Sequence, residues 1–166
     1  DETLSYKEYR MEYESAVNAV TAIEIPLKQV KDKNGSVKIV QMEGKEALLS
    51  DRASDYIEFE ADIPSDARYQ LEIEYYLTDG SSDAGKRTLY IDGEYPFTES
   101  SDIAFYRYFK DEGEPVINSL GDETRPSQVA IPGWRTTLLQ DTSGMYNEPF
   151  QFYLTKGKHT FRLTYM

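Results

Sequence analysis

The chain has 166 residues, 39% of them hydrophobic, which is enough for one domain with a buried core. Its 30 acidic residues outnumber its 18 basic residues, and the formal net charge of −12 disfavours nucleic acids and anionic lipid surfaces as partners. The chain has no cysteine, so disulfides, thiolate metal sites and cysteine nucleophiles are excluded. It also has no apolar run long enough for a membrane span, so we expect no direct membrane insertion.

The N-terminal segment has the pattern of a helix. Ser5 and Glu8 have the spacing of a capping box, and Tyr6, Tyr9 and Tyr13 recur at helical spacing. The sequence therefore predicts a helix from Leu4 to Val17, and we divide the chain into an N-terminal helix, 1–18, and a β-sandwich, 19–166.

After the helix, the hydrophobic period changes to two. Segments 21–31 and 36–42 flank Asn34-Gly35, a dipeptide typical of tight turns, and predict a hairpin. Apolar and polar residues then alternate along 57–63 and 69–77. One buried face and one solvent-exposed face are typical of antiparallel sheets, because strands of parallel sheets are buried on both faces.

Three further features complete the predicted fold. Residues 86–92 predict a strand that ends at an Asp-Gly turn, and 150–154 with 159–165 predict a closing hairpin. Between them, 94–149 shows little strand periodicity and carries five prolines. So long an irregular stretch is typical of a functional segment or of one that hides short elements.

The sequence provides few candidates for catalysis or metal binding. Residues 80–86 match the spacing of a phosphate-binding loop, but Arg87 stands where a hydroxyl must follow, and a predicted strand replaces the required helix. Asp79 and Asp83 offer oxygen ligands that suit calcium, although Asp, Gly and Ser are also typical of turns. We expect no other cofactor and no enzyme, since His159 has the setting of a solvated surface residue. A glycosidase stays an alternative, because acidic residues are abundant enough to pair in a cleft.

Aromatic residues in the irregular segment point to a ligand. Trp134, Tyr146 and Tyr106 lie among polar side chains that include Arg125 and Asn147. Flat rings stack on the C–H faces of sugars, and amide or guanidinium groups bind hydroxyls, so these five residues are the predicted binding site for a neutral glycan. The alternative is structural: the rings cap the ends of a sandwich, and Arg125 forms an internal ion pair with Asp122 or Glu99.

Several strings resemble a known bacterial domain. They are 86–97 (KRTLYIDGEYPF), 122–129 (DETRPSQV), Trp134 and 148–160 (EPFQFYLTKGKHT). They resemble the galactose-binding-like domain of large extracellular solute-binding lipoproteins of carbohydrate ABC transporters. The general layout is also similar to family 6 and family 35 carbohydrate-binding modules.

The resemblance implies a fold, a host and a role. The fold would be an all-β jelly-roll sandwich with a short N-terminal helix, within an extracellular protein attached to the bacterial cell surface. The sequence begins with Asp1 and not with an initiator Met, and we expect the chain to be part of a longer polypeptide. The implied role is a noncatalytic carbohydrate-binding or carbohydrate-associated module. The alternative is a structural sandwich that contacts other domains of the parent polypeptide and binds no glycan.

Overall fold

The computed structural model describes residues 2–77, 85–106, 108–111, 116–117, 119–121, 123–124 and 128–165. For 108–111, 116–117, 123–124 and 128–130 it describes the backbone alone. Strands that pair in antiparallel sheets dominate these residues, with one short α-helix near the N terminus. The predicted all-β sandwich with a short N-terminal helix is confirmed.

Helix α1 runs from Tyr6 to Glu12 and is shorter than predicted. Its capping box is formed as expected: the Glu8 amide donates to Ser5 Oγ at 3.2 Å, and the Ser5 amide donates to Glu8 Oε1 at 3.2 Å. The helix ends early because the following chain pairs with a strand instead, where the Arg68 amide donates to the Val17 carbonyl at 2.8 Å.

One short 3-10 turn, Leu27–Gln29, precedes the strands, and a second, Thr98–Ser101, lies between two of them. In chain order the strands are β1 (Val30–Lys33), β2 (Lys38–Met42), β3 (Lys45–Leu49), β4 (Tyr56–Ile63), β5 (Ala67–Tyr69), β6 (Glu72–Leu77), β7 (Gly85–Ile91), β8 (Ile103–Phe105), β9 (Tyr108–Asp111), β10 (Val116–Ile117), β11 (Glu123–Thr124), β12 (Gln128–Ile131), β13 (Gly133–Leu138), β14 (Phe152–Leu154) and β15 (Gly157–Tyr165). Strands β8 to β13 occupy much of the stretch that lacks clear periodicity in the sequence.

The strands form two main layers. One layer is a five-stranded sheet in the order β1-β4-β15-β7-β8. The other contains the pairs β13-β6 and β14-β5, which are joined by backbone bonds from Leu139 to Leu71 and from Phe150 to Leu139, both 2.9 Å. Hairpin β2-β3, and the pairs β9-β12 and β10-β11, are separate two-stranded sheets.

The hairpin predicted around Asn34-Gly35 is wrong. Strand β1 pairs with β4, and β2 pairs with β3 across a turn at Glu43 and Gly44, whose φ angles are 51° and 79°. Asn34 instead fastens the chain to the start of β4, because its side chain accepts from the Tyr56 amide at 2.7 Å and donates to Asp55 at 2.8 Å. These bonds fix the turn that follows β1, so the chain leaves the five-stranded sheet at Asn34.

The closing hairpin is also wrong. Strand β14 pairs with β5 in one layer, whereas β15 lies between β4 and β7 in the other. The short connection between β14 and β15 carries the chain from one layer of the sandwich to the other. Both paths need the same short glycine-containing connection, so local sequence does not distinguish them.

The core is densest where α1 covers one end of the sandwich. Phe97, Phe150 and Phe152 are at most 1% exposed there and pack against the rings of Tyr6 and Tyr9. The Tyr6 hydroxyl accepts from the Gln151 amide at 3.0 Å, and the Tyr9 hydroxyl accepts from the Tyr153 amide at 2.7 Å. We call this region the helix end of the core.

Candidate functional site

The outer face of the five-stranded sheet carries a row of polar and aromatic side chains. Leu89 and Phe161 point into the core, so their neighbours Tyr90 and Arg162 point outward. The strand register places Arg162 opposite Tyr90 on one side and opposite Glu58 on the other. Side chains from β7, β15 and β4 therefore meet on one solvent-facing surface.

Two tyrosines form a stacked pair at the edge of this row. After β7 the chain turns at Asp92 and Gly93, whose φ angles of 53° and 82° reverse its direction. The turn brings Tyr95 over Tyr90, with ring centroids 4.8 Å apart, an interplanar angle of 22° and hydroxyls 3.2 Å apart. Tyr95 stays 40% exposed. We call Tyr90 and Tyr95 the tyrosine platform.

The hydroxyl contact has an electrostatic consequence. The hydrogen bond with Tyr95 raises the pKa of the Tyr90 phenol above its ordinary value, and partial burial adds to the effect. The Tyr90 phenol therefore stays protonated at neutral pH and can donate or accept hydrogen bonds. The platform offers a flat apolar surface with a polar edge.

Paired charges border the platform. Arg162 Nε lies 3.4 Å from Glu58 Oε1, and the Arg162 guanidinium lies over the Tyr56 ring, 4.2 Å from its centroid. Further along β4, Glu60 lies 3.2 Å from Lys31 and 3.8 Å from Lys158. A surface groove of about 510 Å³ is lined by these last three residues, among others. Glu58 and Glu60 each have a cationic partner, so this part of the surface offers hydrogen-bond donors and acceptors with its charges paired.

His159 holds the turn that carries Tyr95. Asp92 Oδ2 lies 2.6 Å from His159 Nδ1, Asp92 Oδ1 accepts from the Thr160 amide at 2.9 Å, and His159 Nε2 lies 2.6 Å from the Thr155 carbonyl oxygen. A carboxylate and a carbonyl can only accept, so an imidazolium with two N–H groups satisfies both. Partial burial opposes this charge, but the hydrogen bonds to Asp92 and Thr155 outweigh it and raise the pKa of His159. His159 is thus a positioning residue for the turn.

Trp134, the ring most expected to bind a ligand, is attached to hairpin β2-β3. Its Nε1 donates to the Met42 carbonyl at 2.9 Å, and the Lys45 ammonium lies 4.5 Å from the ring centroid. Its neighbour across the strand pair, Tyr76, meets it edge-on at 5.5 Å. Half-buried and with its N–H engaged, Trp134 anchors the hairpin to β13.

Tyr146 lies elsewhere, against α1. Its ring meets Tyr6 edge-on at 5.0 Å, and the Arg10 guanidinium lies 4.9 Å from its centroid. Asn147, the next residue, is exposed. The structure therefore does not bring Trp134 and Tyr146 together, since one contacts the hairpin and the other contacts the helix.

The remaining predicted residues are also dispersed. Tyr106 is 49% exposed, and its carbonyl accepts from the Tyr75 hydroxyl at 3.1 Å. Arg125, Asp79 and Asp83 lie outside the described residues. Within the part of the chain that the structure describes, no group of three or more His, Asp or Glu side chains could hold a metal ion.

Sequence reasoning missed the tyrosine platform, although both rings lie in the string 86–97 (KRTLYIDGEYPF). The available signal was the Asp-Gly turn between Tyr90 and Tyr95. A tight reversal places residues that flank it side by side on adjoining segments, so two aromatics around such a turn predict a ring pair.

The comparisons with known proteins leave the geometry as the main guide to function. No protein-family model matches the chain, and no curated protein is significantly similar to it. In the residues described here, no helix is both long and apolar enough to cross a membrane.

Proposed function

We propose that this chain is a noncatalytic carbohydrate-binding module whose ligand stacks on the tyrosine platform. The observation that carries the proposal is the stacked pair of Tyr90 and Tyr95, which keeps an aromatic ring 40% exposed beside Arg162 and Glu58. A sugar ring presents C–H groups to a flat apolar surface and hydroxyls to polar groups at its border. The outer face of the sheet provides both within one row of side chains.

The rigidity of the platform supports this function. Tyr95 is held by the stack, by the hydroxyl contact and by a turn whose Asp92 is bound to His159 and Thr160. A ring fixed before binding loses little conformational entropy when the ligand arrives. A low entropic cost matters for sugar binding, because each sugar hydroxyl exchanges a hydrogen bond with water for one of similar strength.

The expected ligand is a neutral glycan. The chain carries a formal net charge of −12, which repels acidic polysaccharides. Arg162 is paired with Glu58, so it offers hydrogen bonds without an uncompensated positive charge. Binding should consequently depend little on ionic strength, since no charge on the ligand is neutralised.

The resemblance to the galactose-binding-like domain of solute-binding lipoproteins supports the same class of function. The tyrosine platform lies in one of the strings that carry this resemblance. We propose that the parent protein is extracellular and attached to a bacterial cell surface. There the module would raise the local concentration of a glycan near a transport receptor.

A glycan panel with matched tyrosine variants tests the proposal. We expect a saturable signal for a neutral glycan with the wild-type chain, unchanged by calcium or a chelator. Tyr95→Ala should weaken it about tenfold or more, as at other aromatic hot spots. Tyr106→Ala removes a similarly exposed ring at a different place and should bind normally. A Tyr95→Ala variant that binds as well as wild type contradicts the platform, and silence of folded wild type across the panel contradicts the function.

A second candidate, contact with another domain of the parent polypeptide, is favoured by exposed apolar residues between α1 and β1. Val20 is 99% exposed, Val17 67% and Ile23 37%, and Met11 at the end of the helix is 65% exposed. If these side chains form one apolar patch, it would be typical of an interaction surface. If this candidate is correct, amide hydrogen exchange across 14–25 will be slower in the parent protein than in the isolated chain.

A further inference from the structure

A cleft of about 450 Å³ lies between the two layers, at the end of the sandwich covered by hairpin β2-β3. Aliphatic side chains from both layers and from the hairpin line it, among them Ile57, Leu163, Leu77, Val40 and Ala47. Each of these five residues is only half-buried, in contrast to the phenylalanines of the helix end. We call this space the inter-sheet cleft. Its volume falls within the range of pockets that hold small organic ligands.

The aliphatic part of the lining disfavours a sugar as the occupant. Hydroxyl groups placed among aliphatic side chains would lose their bonds to water without replacement, at a large cost in free energy. An aliphatic chain has no such groups and gains from each methylene removed from water. The inter-sheet cleft is therefore chemically distinct from the tyrosine platform.

Among the described residues that line the cleft, Arg87 is the only cation, and three exposed glutamates, Glu46, Glu72 and Glu74, also contribute to the lining. Arg87 lies on the inner face of β7, between Gly85 and the buried Leu89, and it lines the cleft. Its guanidinium donates to the carbonyls of Ser50 at 2.7 Å and Lys86 at 2.9 Å, and it lies 4.4 Å from the centroid of the Tyr165 ring. These partners are neutral groups.

No described carboxylate forms an ion pair with Arg87. Asp55 acts on it through space, but the Asp55 oxygens accept from Asn34, Ser36 and the Arg52 amide. Burial lowers the pKa of Arg87, yet an arginine keeps its proton in proteins. A partly buried cation without an ionic partner favours an anion in the adjoining space.

From these observations we propose that the inter-sheet cleft binds a single-chain aliphatic carboxylate, with the carboxylate on Arg87 and the hydrocarbon among the aliphatic side chains. The hydrocarbon would contact the aliphatic side chains and the carboxylate would contact Arg87 on the inner face of β7, whereas the three glutamates of the lining are exposed to solvent. The chain's net charge of −12 repels anions in general, so the contact with Arg87 is required to hold an acidic ligand there.

Titration with sodium decanoate tests this site. Trp134 is the only tryptophan in the chain and lines the cleft, so its fluorescence reports occupancy, and calorimetry provides an independent isotherm. We expect saturable binding of decanoate at a stoichiometry of one. Octanoate should bind about fifteenfold more weakly, because it lacks two methylenes and each contributes about a fourfold change in affinity.

Two variants separate the contributions of charge and space. Arg87→Met should weaken decanoate at least tenfold while leaving 1-decanol binding within about twofold, and the latter result also shows that the cleft is intact. Arg52→Met removes an exposed arginine two positions after the cleft-lining Ser50 and should change the affinity for neither ligand. Ala47→Phe should abolish both, since it fills the space opposite Val40.

Three results would each overturn the proposal. The first is no saturable decanoate binding to wild type. The second is an equal loss of decanoate and 1-decanol in Arg87→Met, which would make Arg87 merely structural. The third is undiminished decanoate binding in a folded Ala47→Phe variant, which would place the ligand elsewhere.

Discussion

The two ends of the space between the layers are packed differently. At the helix end, α1 closes the sandwich and the phenylalanines Phe97, Phe150 and Phe152 are at most 1% exposed. At the hairpin end, β2-β3 covers the layers without filling the space, and a cleft of about 450 Å³ remains. Rings stacked at the helix end remove far more apolar surface from water than the half-buried aliphatic residues around the cleft. Stability should therefore be concentrated at the helix end, which leaves the hairpin end free to bind ligands.

The largest expected difference comes from truncating one apolar residue at each end. Phe152→Ala should lower the free energy of unfolding by about 3–5 kcal/mol, because it empties a well-packed site. Leu77→Ala at the cleft should cost less than about 2 kcal/mol, because its surroundings are already partly empty. Chemical denaturation followed by circular dichroism measures both values. Equal losses would show that the two ends are packed alike.

The Tyr9 hydroxyl at the helix end provides a test of a single hydrogen bond. Tyr9→Phe keeps the ring but leaves the Tyr153 amide without the hydroxyl that accepts its hydrogen bond at 2.7 Å. The free energy of unfolding should fall by about 1–3 kcal/mol, the usual effect of leaving a buried donor without an acceptor. Tyr106→Phe, at an exposed ring, is the matched control and should change stability by less than about 0.5 kcal/mol. If both variants match wild type, the tyrosine hydroxyls do not fasten α1.

The contribution of the helix cap is expected to be smaller. Ser5→Ala removes the oxygen that accepts from the Glu8 amide and should destabilise the chain by about 1 kcal/mol. Thr3→Ala, at an exposed position just before the helix, should be neutral. Denaturant midpoints for the two variants measure the difference. A neutral Ser5→Ala would mean that packing of Tyr6 and Tyr9 alone holds α1 in place.

The smallest expected effect depends on pH and concerns the turn below the tyrosine platform. The folded chain raises the pKa of His159, so the charged form contributes stability below the unfolded value of about 6.5. This contribution should disappear as the pH rises through the higher folded value. The difference in unfolding free energy between wild type and His159→Gln should therefore shrink from mildly acidic to mildly basic pH. His159 is the only histidine, so a pH-independent difference would show that its charge is not used.

Local sequence predicted strands better than it predicted their partners. The alternation along 57–63 and 69–77 and the strand at 86–92 correspond to β4, β5, β6 and β7. Both predicted hairpins failed, because partner choice depends on which layer a strand joins. Asn34 illustrates the cause. Its turn is fixed by hydrogen bonds to Asp55 and Tyr56, which lie 21 and 22 positions later in the sequence.

The candidate site shows the same division. The sequence predicts Trp134 as a ligand-binding ring, but its indole N–H is bound to the carbonyl of Met42, which is 92 positions away. Tyr146 is likewise covered by α1 through Tyr6 and Arg10. Such partners cannot be predicted from the residues near Trp134 or Tyr146, whereas the pairing of Tyr90 with Tyr95 is local and follows from the Asp-Gly turn between them.

The sequence by itself determined the class of the molecule: an acidic, cysteine-free all-β sandwich with a capped N-terminal helix. These properties depend on composition, on periodicity and on contacts within a few residues. Tertiary structure alone decided which strands pair, which aromatic rings stay exposed and where Arg87 meets the inter-sheet cleft. Those outcomes depend on how two layers and a hairpin fit together, and the contacts that fix them join residues distant along the chain.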